Sequence, residues 1–255
     1  MLFPLDVDRV MEEHIFRTAQ LAAEAAAEFA IVQIRHAIHE KGQARVVAAT
    51  GATQIEFLAH LVAAPAVDWA RVELFHLDEY IGLGPDHPAS FASFIRERLV
   101  NKTGIRCAHL LDGLGSPEAE CQRAAEAIRS APVDITFTGI GANGHLAFNE
   151  PPADFTTEKA FLTVDLAEQT RVQQVNEGWF SELSEVPKRA ITLSIPEILK
   201  SRSVLCLATG ARKAEAVQRS FAGPITEMAP ASALQGHSDA LVFLDQEAAK
   251  LLRHT

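Results

Sequence analysis

Cysteine is scarce in this sequence, and the few cysteines form no recognisable pattern. Cys107, Cys121 and Cys206 are odd in number and lack a CxxC spacing, so the sequence predicts neither a disulfide framework nor a cysteine zinc site. No HExxH pattern or His/Cys cluster is evident either, and we expect no metal and no other cofactor. A reducing compartment, the cytoplasm, is the location that this cysteine usage favours.

The sequence also has fewer basic than acidic residues, and its apolar runs are short. Lys and Arg number 23 against 33 Asp and Glu, which gives a net charge of -10 at pH 7. A chain of this charge repels polyanions on average, which argues against nucleic acid or an anionic membrane as a partner. No apolar run is long enough to span a bilayer, and the start MLFPLDVDRVMEEH is acidic where a signal peptide would be basic. A small anion can still bind where positive groups are concentrated locally.

The remaining composition, 48% hydrophobic and 22% charged over 255 residues, is typical of a globular protein. Short β-branched apolar runs alternate with helical patterns, which indicates a parallel sheet with crossover helices. We therefore predict a single α/β domain over residues 1–255, with three α/β/α layers and a mainly parallel, Rossmann-like sheet. The predicted strands are Arg45–Ala49, Val72–Leu77, Asp134–Gly139, Ala190–Ser194, Val204–Ala208 and Ala240–Leu244, and helical patterns follow Thr53, Ser90, Ser116, Ala211 and Gln246.

Two segments outside this rhythm carry their own predictions. Apolar residues recur at helical spacing from Met11 to Lys41, which predicts one long N-terminal helix that stops at Gly42. The stretch from Pro151 to Pro187 has mixed polarity and is the least regular in the chain. We interpret it as a lid or an excursion at the edge of the fold.

Two of the predicted strand ends are suited to phosphate. The turn Thr50-Gly51-Ala52-Thr53 would direct backbone amides and hydroxyls to a helix N-terminus, a geometry that binds anions. The simpler interpretation is that Thr53 is only the N-cap of that helix. Lys213 lies in the first turn of another helix, where a cation is unfavourable unless an anionic ligand compensates. On its own, Lys213 is more simply interpreted as a solvated lysine, and only together with the Thr50 turn does it predict a phosphate site.

Two further strand ends carry groups for acid-base chemistry. Asp78 and Glu79 follow the apolar run VELFHL, and a carboxylate that is desolvated there can act as a general base, or else cap the next helix. The glycines from Gly139 to Gly144 have a GxGxxG spacing, but Pro151 and Pro152 follow too closely for a dinucleotide-binding helix. Instead the glycines permit a tight backbone that gathers a second set of polar groups, namely Asn143, His145 and Glu150. A buried structural histidine is the alternative for His145.

Four segments together, FHLDEYIGL, DHPASFASF, GIGANGHLAFNEP and ATGARKAEAV, are similar to the glucosamine-6-phosphate deaminase family, within the larger group that includes 6-phosphogluconolactonases. The likeness runs in order from about Arg45 to Leu244. It implies a single three-layer α/β domain and the conversion of glucosamine 6-phosphate and water to fructose 6-phosphate and ammonia. The substrate it implies is therefore a small sugar phosphate.

The resemblance also implies roles for individual residues. Asp78 matches the base that moves a proton between C2 and C1, His145 matches the ring-opening acid-base, and Asn143 and Glu150 match the residues that orient this histidine. The loop of Thr50, Gly51, Ala52 and Thr53, with Lys213 and Gly144, matches the binding elements for the substrate and its phosphate. The family usually has a phosphate-binding arginine before a Phe-Phe or Trp-Phe pair, but the corresponding stretch here is Asn176-Glu177-Gly178-Trp179-Phe180. Arg171 is the nearest basic residue.

The sequence leaves several alternatives to the leading function. Another hexosamine phosphate, such as galactosamine 6-phosphate, could be the substrate, and a lactonase-like hydrolase or a non-catalytic sugar-phosphate sensor are further candidates. The sensor is disfavoured because the acidic chain offers no basic face and no room for a DNA-binding module. Assembly into a homo-oligomer is also open.

Overall fold

A parallel sheet runs through the centre of the molecule, in a computed structural model that describes residues 11–252. The strands of the described residues are β1 (Glu12–Phe16), β2 (Ala44–Ala48), β3 (Val72–His76), β4 (Asp78–Tyr80), β5 (Cys107–His109), β6 (Ile135–Thr138), β7 (Phe161–Asp165), β8 (Arg189–Leu193), β9 (Ser203–Ala208) and β10 (Ala240–Asp245). Seven of these strands form the central sheet in the order β1-β10-β9-β6-β2-β3-β5, and all of its neighbouring pairs are parallel. Since the carboxyl ends of parallel strands meet at one edge, the loops that follow them converge there.

A second, antiparallel sheet of three strands adjoins the first, in the order β4-β8-β7. The chain crosses from one sheet to the other at Leu77, between β3 and β4. The Leu77 amide donates to the carbonyl oxygen of Ala48 in the large sheet, and its own carbonyl oxygen accepts from the amide of Leu193 in the small one. Asp78 therefore lies at the junction of the two sheets.

Helices cover both faces of the large sheet because its strands are apolar on both sides. The helices of the described residues are α1 (Ala19–Lys41), α2 (Ala52–Ala63), α3 (Phe91–Arg98), α4 (Pro117–Ile128), α5 (Glu168–Asn176), α6 (Ile195–Ile198), α7 (Ala214–Phe221) and α8 (Gln246–Ala249). Val46 and Leu205 face a core shared with α1, α2 and α3, whereas Val47 and Cys206 face a core shared with α4, α6, α7 and α8. This confirms the predicted α/β fold, with a mainly parallel sheet between two helical layers. Within the described part of the chain, none of the helices combines the length and the apolar character that crossing a bilayer requires.

The prediction of one helix from Met11 to Lys41 is wrong in its first part. Residues 12–16 form β1, which pairs in parallel with β10 at the edge of the sheet. The helix begins only at Ala19, after Thr18, whose side chain accepts a hydrogen bond from the amide of Leu21 as an N-cap. Pairing with the neighbouring strand outweighs the helical spacing of the apolar residues here. The predicted stop at Gly42 is confirmed, since Gly42 has a φ of 80° and its amide donates to Ile38.

The six predicted strands are all present, with ends that differ by at most one residue. Besides β1, the strands among the described residues that the sequence did not predict are β4, β5 and β7. Two of these have only three residues, too few to show a period of two, and β7 lies in the stretch that was interpreted as irregular.

Candidate functional site

One pocket opens at the carboxyl edge of the large sheet, and all four of the predicted strand ends contribute to it. Its walls include the Thr50 turn, Asp78, His145 and Lys213, which are far apart in sequence and come from four different loops. The topology explains this convergence, because β2, β3, β6 and β9 are neighbours in the sheet and point the same way. The full lining is Ala49, Thr50, Gly51, Ala52, Thr53, Leu77, Asp78, Phe91, Thr138, Gly139, Ile140, Gly141, His145, Ala147, Phe148, Gln173, Gln174, Glu177 and Lys213.

The Thr50 turn forms the N-terminus of α2 and presents unpaired backbone donors to the pocket. Gly51 is the N-cap, with a φ of 106° that a side chain would strain, and it offers no capping side chain. The first helical amides, those of Ala52 and Thr53, therefore have no partner among the hydrogen bonds of residues 11–252. Amides in this position bind anions, and the helix dipole adds to the attraction.

Lys213 supplies a positive charge to the same pocket. It ends a short 3-10 turn, Ala211–Lys213, that follows β9 and Gly210. The carboxylate of Asp245, at the end of neighbouring β10, accepts from the Gly210 amide at 2.9 Å and so holds this loop in place. Burial lowers the pKa of the Lys213 ammonium, although the charge of Glu177 opposes the effect. An anion in the pocket would relieve the cost of this desolvated cation.

Asp78 and Glu79 are adjacent in β4 but differ in what surrounds them. The Asp78 carboxylate faces the pocket, is 5% exposed and accepts no hydrogen bond from any described residue. Burial raises the pKa of Asp78 from 3.8 to about 8, and the neighbouring charge of Glu79 adds to the rise. A carboxyl with a pKa near neutrality can both take and return a proton at physiological pH.

Glu79, in contrast, has a structural role. Its buried carboxylate accepts hydrogen bonds from the amides of Tyr80, Phe91 and Ala92 and from the hydroxyl of Ser90. These donors lie mostly in the first turn of α3, so Glu79 satisfies the open amides of that helix and fixes it against β4. Of the two interpretations of the Asp-Glu pair, the base fits Asp78 and the helix cap fits Glu79.

His145 lies in the pocket with two polar groups on one side of its ring. Its Nδ1 is 3.2 Å from the hydroxyl of Thr170 and 3.6 Å from Oε2 of Glu150. Burial alone would raise the pKa of Glu150, but its contact with His145 and the charge of that ring lower it overall. The Glu150 carboxylate is therefore the ionised partner of the histidine. The other ring nitrogen, Nε2, has no hydrogen-bond partner within residues 11–252 and is left for a ligand.

Asn143 and Glu150 lie behind His145 rather than in the lining of the pocket. The Asn143 amide donates to Glu150 at 2.6 Å, and its carbonyl oxygen accepts from the backbone amide of His145 at 3.1 Å. These contacts fit the predicted orienting roles. Gly144, which was expected among the binding residues, is a turn residue with a φ of 92° whose amide donates to the Gly141 carbonyl oxygen. It also lies behind the lining and helps to shape the loop.

The His145 ring packs directly on the backbone of Gly141. A Cβ added at Gly141 would lie 2.1 Å from Cε1 of the histidine, closer than any real contact. The glycine is thus required by the close approach of the imidazole, which is a different reason from the phosphate contact of a dinucleotide fingerprint.

Helix α5 brings to the site a set of residues that the sequence analysis missed. Thr170, Gln173, Gln174 and Glu177 are spaced at i, i+3, i+4 and i+7, so they share one face of α5 and its C-terminal turn. Gln173 accepts from the amide of Ala142 at 3.1 Å, which joins this face to the glycine loop. A polar stripe at helical spacing was a signal available in the sequence, but the surrounding stretch was interpreted as irregular.

Arg171 lies on a different face of α5 and does not line the pocket. Its guanidinium donates to the carbonyl oxygens of Leu183 and Val186 and so binds the following loop to the helix. In the segment where the family has its arginine, Glu177 reaches the pocket instead. The lining therefore contains an acidic side chain where the resemblance implies an arginine.

Comparison with known proteins places this geometry in a family. A family model described as glucosamine-6-phosphate isomerases/6-phosphogluconolactonase matches residues 17–243. A glucosamine-6-phosphate deaminase of Hahella chejuensis is 38% identical over 235 residues, which cover 90% of this chain and 88% of that protein. These matches include every segment that forms the pocket.

Solved structures give the same result. A monomeric glucosamine-6-phosphate deaminase is 35% identical, with a TM-score of 0.87 over 94% of this chain and 100% of that one. A 6-phosphogluconolactonase from Shewanella baltica shares the fold, with a TM-score of 0.76 and 21% identity over 94% of this chain and 99% of that one. With a family model over most of its length and these relatives beside it, the chain belongs to the glucosamine-6-phosphate isomerase and 6-phosphogluconolactonase family.

Proposed function

We propose that this protein is an amino-sugar phosphate isomerase and deaminase that converts glucosamine 6-phosphate and water to fructose 6-phosphate and ammonia. One observation carries the proposal: a single pocket contains an anion cradle, a desolvated carboxyl and a histidine paired with a carboxylate. The relatives that are named glucosamine-6-phosphate deaminase support it. The reaction needs each of these three groups, because it must hold a phosphate, open a ring and move a proton between carbons.

The phosphate end of the substrate binds at the N-terminus of α2. The amides of Ala52 and Thr53, the hydroxyls of the turn and the Lys213 ammonium would surround a phosphate dianion. Fixing the phosphate at one end places the sugar ring along the pocket toward Asp78 and His145. Binding energy far from the reacting carbons is thus used to orient them.

Ring opening is the first chemical step and is assigned to His145. The imidazole Nε2 gives a proton to the ring oxygen as the bond between that oxygen and C1 breaks, and the same nitrogen takes the proton of the C1 hydroxyl, so the pyranose becomes the open-chain aldehyde. Glu150 stabilises the imidazolium form by charge, while Thr170 and Asn143 fix the orientation of the ring and the carboxylate. Asn143 is an amide and contributes position without charge.

Proton transfer is assigned to Asp78. Its ionised carboxylate removes the proton from C2, and an enolamine forms as the electron pair shifts toward the C1 aldehyde. The protonated Asp78 then returns the proton to C1, and the oxygen on C1 takes a proton from the nitrogen, which leaves a hydroxyl at C1 and an imine at C2. Water adds to this imine, the C2–N bond breaks, and ammonia leaves with a ketone at C2. Because its pKa lies near 8, the Asp78 carboxyl suits both halves of the transfer.

We further propose that residues 1–255 act as one catalytic domain in the cytoplasm. The lining of the pocket comes from one chain and from both sheets, so the site needs no second subunit, and a homo-oligomer would contain complete sites. The thiols of Cys107, Cys121 and Cys206 are unpaired, which supports a reducing compartment.

A coupled assay tests the proposal directly. Purified protein is supplied with glucosamine 6-phosphate, and ammonia and fructose 6-phosphate are both measured over time. We expect the two products in equal amounts and no requirement for added metal. Galactosamine 6-phosphate and 6-phosphogluconolactone serve as competing substrates. Faster ammonia release from galactosamine 6-phosphate would mean that this sugar is the substrate. Lactone opening without ammonia release would overturn the proposal.

A further inference from the structure

Glu73, Cys107 and His109 form a cluster of metal-ligand types away from the pocket. Glu73 lies in β3, and the other two lie in the neighbouring edge strand β5. The register pairs Glu73 with Cys107 and Phe75 with His109. Since alternate residues of a strand point to the same face, the three side chains lie together on one face of the sheet.

The distances within this cluster suit a tetrahedral ion. Oε1 of Glu73 is 2.9 Å from Nε2 of His109, which is 3.5 Å from Sγ of Cys107. All three ligand atoms lie within 4.8 Å of one another. Zinc bonds of about 2.0 to 2.3 Å at tetrahedral angles place nitrogen and oxygen ligands about 3.4 Å apart, and sulfur and nitrogen ligands about 3.6 Å apart. To admit the ion, the oxygen–nitrogen distance must lengthen by about half an ångström, and the oxygen–sulfur distance, which is at most 4.8 Å, must settle at about 3.6 Å.

Neighbouring groups hold the ligands in place. The Arg45 guanidinium donates to the other oxygen of Glu73, Oε2, at 2.7 Å, which leaves Oε1 on the side of the cluster. Arg45 is itself buried and donates to the carbonyl oxygens of Ala127 and Ile128. The His109 ring stacks on Phe75 at 4.6 Å. Such contacts around the ligands orient them and raise the affinity of a metal site.

We propose that Glu73, Cys107 and His109 bind one divalent ion of the zinc class, with water as the fourth ligand. Thiolate, imidazole and carboxylate form a mixed donor set that Zn²⁺ and its substitute Co²⁺ accept, whereas Mg²⁺ and Ca²⁺ prefer oxygen alone. Cys107 is exposed, so an ion can enter from solvent. The thiol loses its proton to solvent when the metal–sulfur bond forms.

The site is separate from the proposed catalysis. Five residues of extended chain, roughly 16 Å, separate Glu73 from Asp78 along β3 and its continuation. The ion would instead join the edge strand β5 to β3 and so stabilise the folded state by mass action. The prediction of no metal came from local spacing, whereas Glu73 and His109 are 36 positions apart and only the strand register joins them.

Cobalt titration of the full chain tests the site. Protein freed of metal with a chelator, and kept reduced with a phosphine, is titrated with Co²⁺ and then with Zn²⁺. We expect one ion per chain, a thiolate-to-cobalt charge-transfer band that Zn²⁺ abolishes, and a rise in melting temperature. In Cys107→Ser the band is lost and Zn²⁺ affinity falls by more than about tenfold. His109→Asn also weakens binding, although other histidines can still bind weakly.

Cys121→Ser is the matched control, because Cys121 is the other cysteine that is not fully buried. It should retain the band, and Cys107→Ser should retain its ammonia-releasing activity in metal-free buffer. A stoichiometry well below one, a band that persists in Cys107→Ser, or a band lost in Cys121→Ser would each overturn the proposal.

Discussion

Replacing Asp78 by Asn should remove activity and, at alkaline pH, stabilise the fold. The carboxyl ionises near pH 3.8 in the unfolded chain but near pH 8 in the folded protein, because burial disfavours its charge. Between these values the folded state holds a proton that the unfolded state has lost. The free energy of unfolding of the wild type therefore falls as the pH rises from about 4 to about 8. An amide does not titrate and escapes this loss.

The size of the effect follows from the gap between the two pKa values. A gap of about four, at about 1.36 kcal/mol for each pKa unit, sets an upper limit of roughly 5 kcal/mol above pH 8. Burial of the Asn amide itself costs part of this gain. We expect a net stabilisation on the order of 2 kcal/mol at pH 8.5, which raises the melting temperature by about 4 to 8 °C. Little difference should remain near pH 4.

Urea unfolding and thermal melts at pH 4.5 and pH 8.5 measure the difference, and the ammonia assay measures activity. Ammonia release should fall by roughly 10³-fold or more. Glu79→Gln is the matched control with the opposite sign, because an amide cannot accept the four hydrogen bonds that Glu79 receives. It should destabilise the protein at both values of pH. A stability difference between Asp78→Asn and wild type that does not grow from pH 4.5 to pH 8.5 would refute the reasoning.

Three further substitutions examine other parts of the pocket. Lys213→Met removes the cation of the phosphate cradle and should raise the KM for glucosamine 6-phosphate by about 10- to 100-fold, a loss expected of a charge-assisted hydrogen bond; an unchanged KM in initial-rate kinetics would place the phosphate elsewhere. Glu177→Gln removes a like charge from the same pocket and should lower that KM by roughly 2- to 5-fold, whereas a higher KM would mean that the carboxylate contacts the substrate favourably. Gly141→Ala should reduce kcat by about 100-fold or more by displacing the His145 ring. Gly104→Ala, where the added methyl meets nothing within 4 Å, should leave kcat unchanged in the same assay.

The large sheet and the groups at its carboxyl edge were predictable because each parallel strand leaves two signals in the sequence. Each buried strand is an apolar run, and its last residue points to the edge where its neighbours also end. That rule predicts that Thr50, Asp78, His145 and Lys213 lie near one another. The order of the strands was not needed for this, since all of them end on the same side.

What escaped prediction depends on pairing rather than on local pattern. Residues 12–16 have helical spacing but form β1 because the edge of β10 is open to them. The cluster of Glu73, Cys107 and His109 exists only through the register of β3 with β5. Asp78 and Glu79 look alike in sequence, and only the position of α3 assigns one to the pocket and the other to a helix N-terminus.

The polar face of α5 reaches the pocket from outside the large sheet. The groups proposed for proton transfer, ring opening and phosphate binding lie at strand ends, whereas Gln173, Gln174 and Glu177 reach the pocket from one short helix. Residues on that helix can be exchanged without touching a strand of the core. A library restricted to these three positions, with the strand ends held constant, is therefore a compact route to variants that accept other aminosugar phosphates.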